Sequence, residues 1–111
     1  RQLHGPDALP RVRALAGHAD ALVRSAAALA LGRIGGAADR ERLLALMSDR
    51  DWWVRYRSAQ AFIALPGSDA ASVAAARDSL DDRYARDMLD HAWAEQVLQE
   101  PGEPAPAGGA P

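Results

Sequence analysis

Asp51-Trp52-Trp53-Val54-Arg55, running on through Tyr56-Arg57-Ser58-Ala59-Gln60-Ala61-Phe62, is the stretch from which the rest of the chain can be read. By itself it describes the start of an amphipathic helix. Asp51 is a capping residue, and Val54, Ser58, Ala61, Phe62 and Leu65 fall on one face at helical spacing. At a step of 31 residues toward the N-terminus stands Asp20-Ala21-Leu22-Val23-Arg24, continuing to Ala30-Leu31. The same step toward the C-terminus gives Asp82-Arg83-Tyr84-Ala85-Arg86, continuing to Ala92-Trp93. One unit is written three times. An internal period of this length marks stacked supersecondary units, none of which can bury its apolar face alone.

Working outward, each unit resolves into two helices. Leu9 to Ala16 is predicted as the first, with Val12, Leu15 and Ala16 apolar and Gly17 as its stop. Asp20 opens the second, which runs to about Ile34. It buries Val23, Ala27, Ala30, Leu31 and Ile34 and ends at Gly35-Gly36. In the next unit Arg40 to Met47 carries Leu43, Leu44, Leu46 and Met47. The helix from Asp51 runs to about Leu65, where Pro66-Gly67 stops it. The last unit has a weaker first helix marked by Val73, Ala76 and Leu80. A long helix then runs from Asp82 to Gln99, apolar at Ala85, Met88, Leu89, Ala92, Trp93 and Val97. The expected fold is all-α, a right-handed superhelix of about three helix pairs with no strand, its repeats lying at about 9–36, 37–67 and 68–99. By the same step Leu3 aligns with Ile34 and Gly5 with Gly36. Residues 1–8 are therefore expected to be the remnant of a preceding repeat or a lead-in, and the chain to be part of a longer array or larger protein. Residues 100–111, made of Pro, Gly, Ala and acid, cannot bury a core and are expected to form a disordered tail or linker.

Composition bounds the function. A chain of 111 residues with a formal charge of −2 is one domain at most, and it offers no bulk electrostatic reason for a nucleic-acid partner. The absence of cysteine excludes disulfides and thiolate metal sites. No apolar run approaches the roughly 20 residues needed to cross a bilayer, so no membrane insertion is expected. No signal-peptide pattern is visible, which makes the cytoplasm the expected location. His4, His18 and His91 are scattered and read without i, i+4 His or Glu partners, so no metal and no cofactor is predicted.

Val23-Arg24-Ser25-Ala26-Ala27-Ala28-Leu29-Ala30-Leu31-Gly32-Arg33-Ile34-Gly35 resembles the second-helix signature of HEAT repeats, in particular the short HEAT-like (phycobilisome-lyase-type) branch. Val54-Arg55 through Ala59, Ala61 and Phe62 repeats it. The third copy is degenerate, with Ala85 for the valine and Asp90 where alanine is expected. The 31-residue step is shorter than the roughly 40–47 residues of full HEAT and armadillo units, which favours the short branch. The resemblance implies a non-catalytic scaffold that binds a protein or peptide on the concave face lined by second helices. It also permits two enzyme-like readings: a bilin-lyase-like chromophore handler, and a HEAT-like DNA glycosylase using Trp53, Asp87 and Arg57. Lack of cysteine weighs against the first and near-neutral charge against the second.

Helical geometry names the residues of that face. With Val54 inward, Trp53, Tyr56 and Gln60 share an outward strip, continued by Leu22 on one neighbour and by Tyr84, Asp87 and His91 on the other. Large outward aromatics suggest a contact site, so Leu22, Trp53, Tyr56, Gln60, Tyr84 and His91 are the predicted partner-binding residues. Trp52 is expected instead to fill an inter-repeat groove, and Asp87 to pair with His91. The pairs Asp20/Arg24, Asp51/Arg55 and Asp82/Arg86, recurring at i, i+4, read as a structural ladder: an aspartate cap whose charge suits the helix dipole, and an arginine that ties neighbouring repeats together. No catalytic residue is predicted.

Overall fold

The computed structural model describes residues 5–99; the readings of Leu3 and of the tail beyond Gln99 lie outside the described residues. Within them the chain forms α1 (Gly5–Leu15), α2 (Ala21–Ile34), α3 (Arg40–Leu46), α4 (Trp52–Ala64), α5 (Ala70–Ser79) and α6 (Arg83–Gln99), with a 3₁₀ turn at Ala37–Asp39 before α3. No strand occurs among the described residues. The helices form three pairs, α1–α2, α3–α4 and α5–α6, and the second helices pack side by side in the order α2, α4, α6.

The aspartates start the second helices by hydrogen bonding. Asp20 accepts from the Leu22 amide at 2.9 Å, Asp51 from Val54 at 3.1 Å and Asp82 from Tyr84 at 2.8 Å. Each satisfies a backbone donor that the first helical turn leaves free. The aspartate and arginine of each set form no ion pair with each other. Each arginine instead reaches back to its own preceding turn: Arg24 Nη1 donates to the His18 and Ala19 carbonyls, Arg55 Nη1 to Asp49, and Arg86 Nη1 to Leu80 and Asp81. With the caps occupying the aspartates, the guanidinium groups are better used on turn carbonyls that would otherwise lack donors. Of these three arginines Arg24 alone makes an ion pair with another repeat, its Nε and Nη2 also gripping the Asp49 carboxylate of the following unit.

Leu31, Phe62, Leu43, Met47 and Leu89 are sealed in one continuous core, and Val54 is also fully buried. Trp93, in register with Leu31 and Phe62, is only half-buried, since its pair has a neighbour on one side alone among the described residues. Val23 is half-buried, and Ile34, the last residue of α2, and Val97, in the last turn of α6, are exposed. Val12 is buried while Leu15 is exposed. Asp90 has an account in the structure: it accepts from Arg77 Nε at 2.8 Å, joining α6 to α5 on the outer side of the stack.

Two further departures concern the first pair. The first helix begins at Gly5 and not near Leu9, so Gly5 stands in a helical turn and is not a stop. Asp39, which the repeat pattern did not flag, is a fully buried carboxylate. It accepts from Arg13 Nε at 2.7 Å and Nη2 at 3.1 Å, from Arg42 Nη1 at 3.2 Å and from the Gly36 amide at 3.0 Å. These donors cross from α1 to α3 and replace the water the carboxylate has lost.

Spacing between second helices is set by small residues. A Cβ on Gly32 would lie 2.7 Å from the Ala61 Cα, so α2 and α4 touch nearly backbone to backbone. One repeat on, Ile63 takes the place of Gly32 and faces a groove that Ala92 also lines. α4 packs less closely against α6 than against α2.

Candidate functional site

The start of α4 presents Trp52, Trp53 and Tyr56 as one aromatic cluster. Trp52 and Tyr56, four residues apart and hence stacked on one helix face, lie with ring centres 5.1 Å apart and planes 23° apart. Trp53 meets Trp52 edge-on at 4.9 Å and Tyr56 at 5.9 Å. Such offset and edge contacts match the positive edges and negative faces of the rings. Trp52 does not fill a groove as expected. It remains 46% exposed, Trp53 51% and Tyr84 65%. Trp52 lies on the wall of an open depression between α4 and α6 and is not enclosed by it.

Tyr56 is half-buried between α4 and α6. Its hydroxyl donates to Glu95 Oε1 at 2.7 Å, and the Glu95 bond, with burial, raises the hydroxyl's proton affinity above that of a free tyrosine. His91 Nε2 lies 3.2 Å from Glu95 Oε2, and its ring is 6.0 Å from that of Tyr56. His91 therefore does have an i, i+4 Glu partner. It is Glu95 and not Asp87, and Glu95 is the site residue that the sequence reading missed. The spacing alone could have found it. Gln60 accepts from Arg57 Nη1 at 2.9 Å. Arg57 itself lies over Trp53 at 5.1 Å and over Tyr56 at 5.5 Å. The guanidinium thus flattens the outer side of the cluster.

Between α4 and α6 the surface opens into a depression of about 450 Å³ lined by Trp52, Arg55, Tyr84, Asp87, Met88 and His91. Of the predicted strip, the structure gathers Trp53, Tyr56, Gln60 and His91 through direct contacts and brings Tyr84 to the same depression as His91. Leu22 is 75% exposed on α2, in register with Trp53, and lines neither this depression nor the shallower groove of Leu29, Gly32, Arg33, Arg57, Gln60, Ala61 and Ala64 between α2 and α4. Asp87 lines the depression while Trp53 and Arg57 do not, so the three residues of the glycosylase reading do not converge on one cavity. Among the described residues no group of three or more His, Asp or Glu is placed to hold a metal ion, and no helix is long and apolar enough to cross a membrane.

The arrangement offers aromatic surface, a few charges and a shallow cleft spanning two repeats. Compared with known proteins, the chain matches the family model described as HEAT repeats over residues 1–63. No curated protein and no solved structure matches it.

Proposed function

From the premise that this chain belongs to the HEAT-repeat family, whose repeats generally mediate protein–protein interaction, we propose that its second-helix face binds a protein or peptide partner and carries out no catalysis. The observation that supports this most is the exposure of Trp52 and Tyr84 on the walls of one cleft, with the exposed Trp53 edge-on to Trp52 beside it. Scattered exposed apolar residues are ordinary, but contiguous large aromatics are not, and Trp and Tyr dominate interface energetics. Leu22, Gln60, Tyr56 and His91 extend the face on either side. The Asp20/Arg24, Asp51/Arg55 and Asp82/Arg86 sets belong to the frame that holds it.

Photo-crosslinking tests the reading. A benzophenone amino acid replaces Trp53 or Tyr84 on this face, or Glu41 on α3 as a control, in cells that make the protein. The same partner should crosslink from positions 53 and 84 and not from 41. Crosslinks from 41 alone, or unrelated products from 53 and 84, overturn the proposal.

A further inference from the structure

We infer that the depression between α4 and α6 receives an arginine side chain of the partner; the inference rests on the reading of this face as a binding face and adds what the face selects. Charge comes first. Arg55 lines the depression, but it is drawn to the Asp49 carbonyl at 2.9 Å and lies near the Asp82 carboxylate. His91 is turned to Glu95 at 3.2 Å. Asp87 is exposed at the same depression and takes part in no ion pair among the described residues. Its carboxylate is the charge left over. Asp87 is the one carboxylate among the lining residues, while the nearby cations are already engaged, Arg55 at the Asp49 carbonyl and Arg57 and Arg83 on ring faces, so the charge left open to a ligand is negative.

The rings supply the second argument. The chain's own guanidinium groups already rest on ring faces here, Arg57 on Trp53 and Tyr56 and Arg83 on Tyr84 at 5.8 Å. Trp52, which walls the depression, carries no such cation among the described residues. Met88 is buried beneath, so an aliphatic stem entering the cleft packs on Met88 and Trp52 while its charged end meets Asp87. A planar guanidinium can stack on indole and fork onto a carboxylate at once, which an ammonium cannot.

The test titrates the full chain with acetylated, amidated Gly-Gly-Arg-Gly-Gly and its lysine, citrulline and glutamate counterparts, following the tryptophan indole N–H signals by NMR. The arginine peptide should move the Trp52 signal saturably. Citrulline, which keeps the shape and loses the charge, should bind about tenfold more weakly. Asp87→Asn, at an exposed position outside the ion pairs, should reduce arginine binding to the citrulline level without changing the melting temperature. Equal binding of arginine and citrulline, indifference to Asp87→Asn, or preference for glutamate overturns the inference while leaving a peptide-binding face. Failure of every peptide to move Trp52 also overturns it, and the crosslinking result then judges the face by itself.

Discussion

Arg24 on α2 holds Asp49, in the turn before α4, through Nε at 2.8 Å and Nη2 at 3.0 Å. The same register in the next repeat gives Arg55 a leucine, Leu80, where Asp49 would stand, and Arg55 Nε is buried without a partner. A buried unpaired donor costs free energy that a placed carboxylate would recover. In a double-mutant cycle of Leu80→Asp with Arg55→Met, measured by urea unfolding, the two positions should couple favourably by about 1.5–3 kcal/mol, the range for hydrogen bonds to charged groups. Leu80→Asp alone also loses apolar packing, so the coupling and not the single change is the readout. Additive effects would show that residue 80 does not reach Arg55.

Gly32→Ala should destabilise the fold although alanine is the better helix former. The new Cβ meets the Ala61 backbone at 2.7 Å, and backbone cannot rotate away. Overpacking of this kind costs about 1–3 kcal/mol, against about 1 kcal/mol gained in helix propensity. Gly36→Ala is the control, since nothing lies within 4 Å of its added Cβ. Equal midpoints for Gly32→Ala and wild type in urea would mean α2 and α4 separate at no cost.

Acid should weaken the fold through Asp39. The Arg13 fork holds its carboxyl below the usual carboxylate range; burial pushes it up, and the Gly36 amide and Arg42 push it down. A group whose folded proton affinity is depressed stabilises fully above its unfolded value, about pH 4, and loses that contribution as pH falls through the lower folded value. Stability should therefore drop as pH falls below about 4. Asp39→Asn should remove part of that slope while costing, at neutral pH, toward the low end of about 3–5 kcal/mol, because Arg13 can turn to water. A pH profile unchanged by Asp39→Asn would assign acid sensitivity to other carboxylates.

Core and face should separate cleanly in two alanine variants. Phe62 is sealed, and Phe62→Ala should cost about 3–5 kcal/mol, enough to unfold a marginal domain. Trp53 is half exposed, and Trp53→Ala should barely shift the melting temperature while weakening partner binding by about tenfold or more. A large melting shift for Trp53→Ala, or binding that survives Trp53→Ala with Tyr56→Ala, would place the contact elsewhere.

What the sequence made legible was what repeats. Asp20, Asp51 and Asp82 sit at a constant step and do the same local job, so helix starts were readable. Leu31 and Phe62 were readable as core for the same reason. Asp39 and Asp49 escaped because each is held by an arginine 26 or 25 residues away in sequence, and the register positions one repeat before and after them hold other residue types. Trp52 was misplaced because its exposure depends on how far α6 stands from α4. That spacing is a matter of packing between two helices, which the periodicity of one helix does not carry.

The seam between α4 and α6, less closely packed than that between α2 and α4 and short of one charged rung, also bears on the order in which the molecule should come apart. In a linear array each unit is held by its own stability and by the interface it shares. The α5–α6 pair should therefore open first, its amides exchanging with solvent through local opening while those of α2 and α4 wait for global unfolding. Trp52 and Tyr56 stand on one bank of that seam, Tyr84 and His91 on the other. A ligand bound across both must hold the seam shut, and its occupancy is then recorded as slowed amide exchange along the whole of α5 and α6, well beyond the residues it touches.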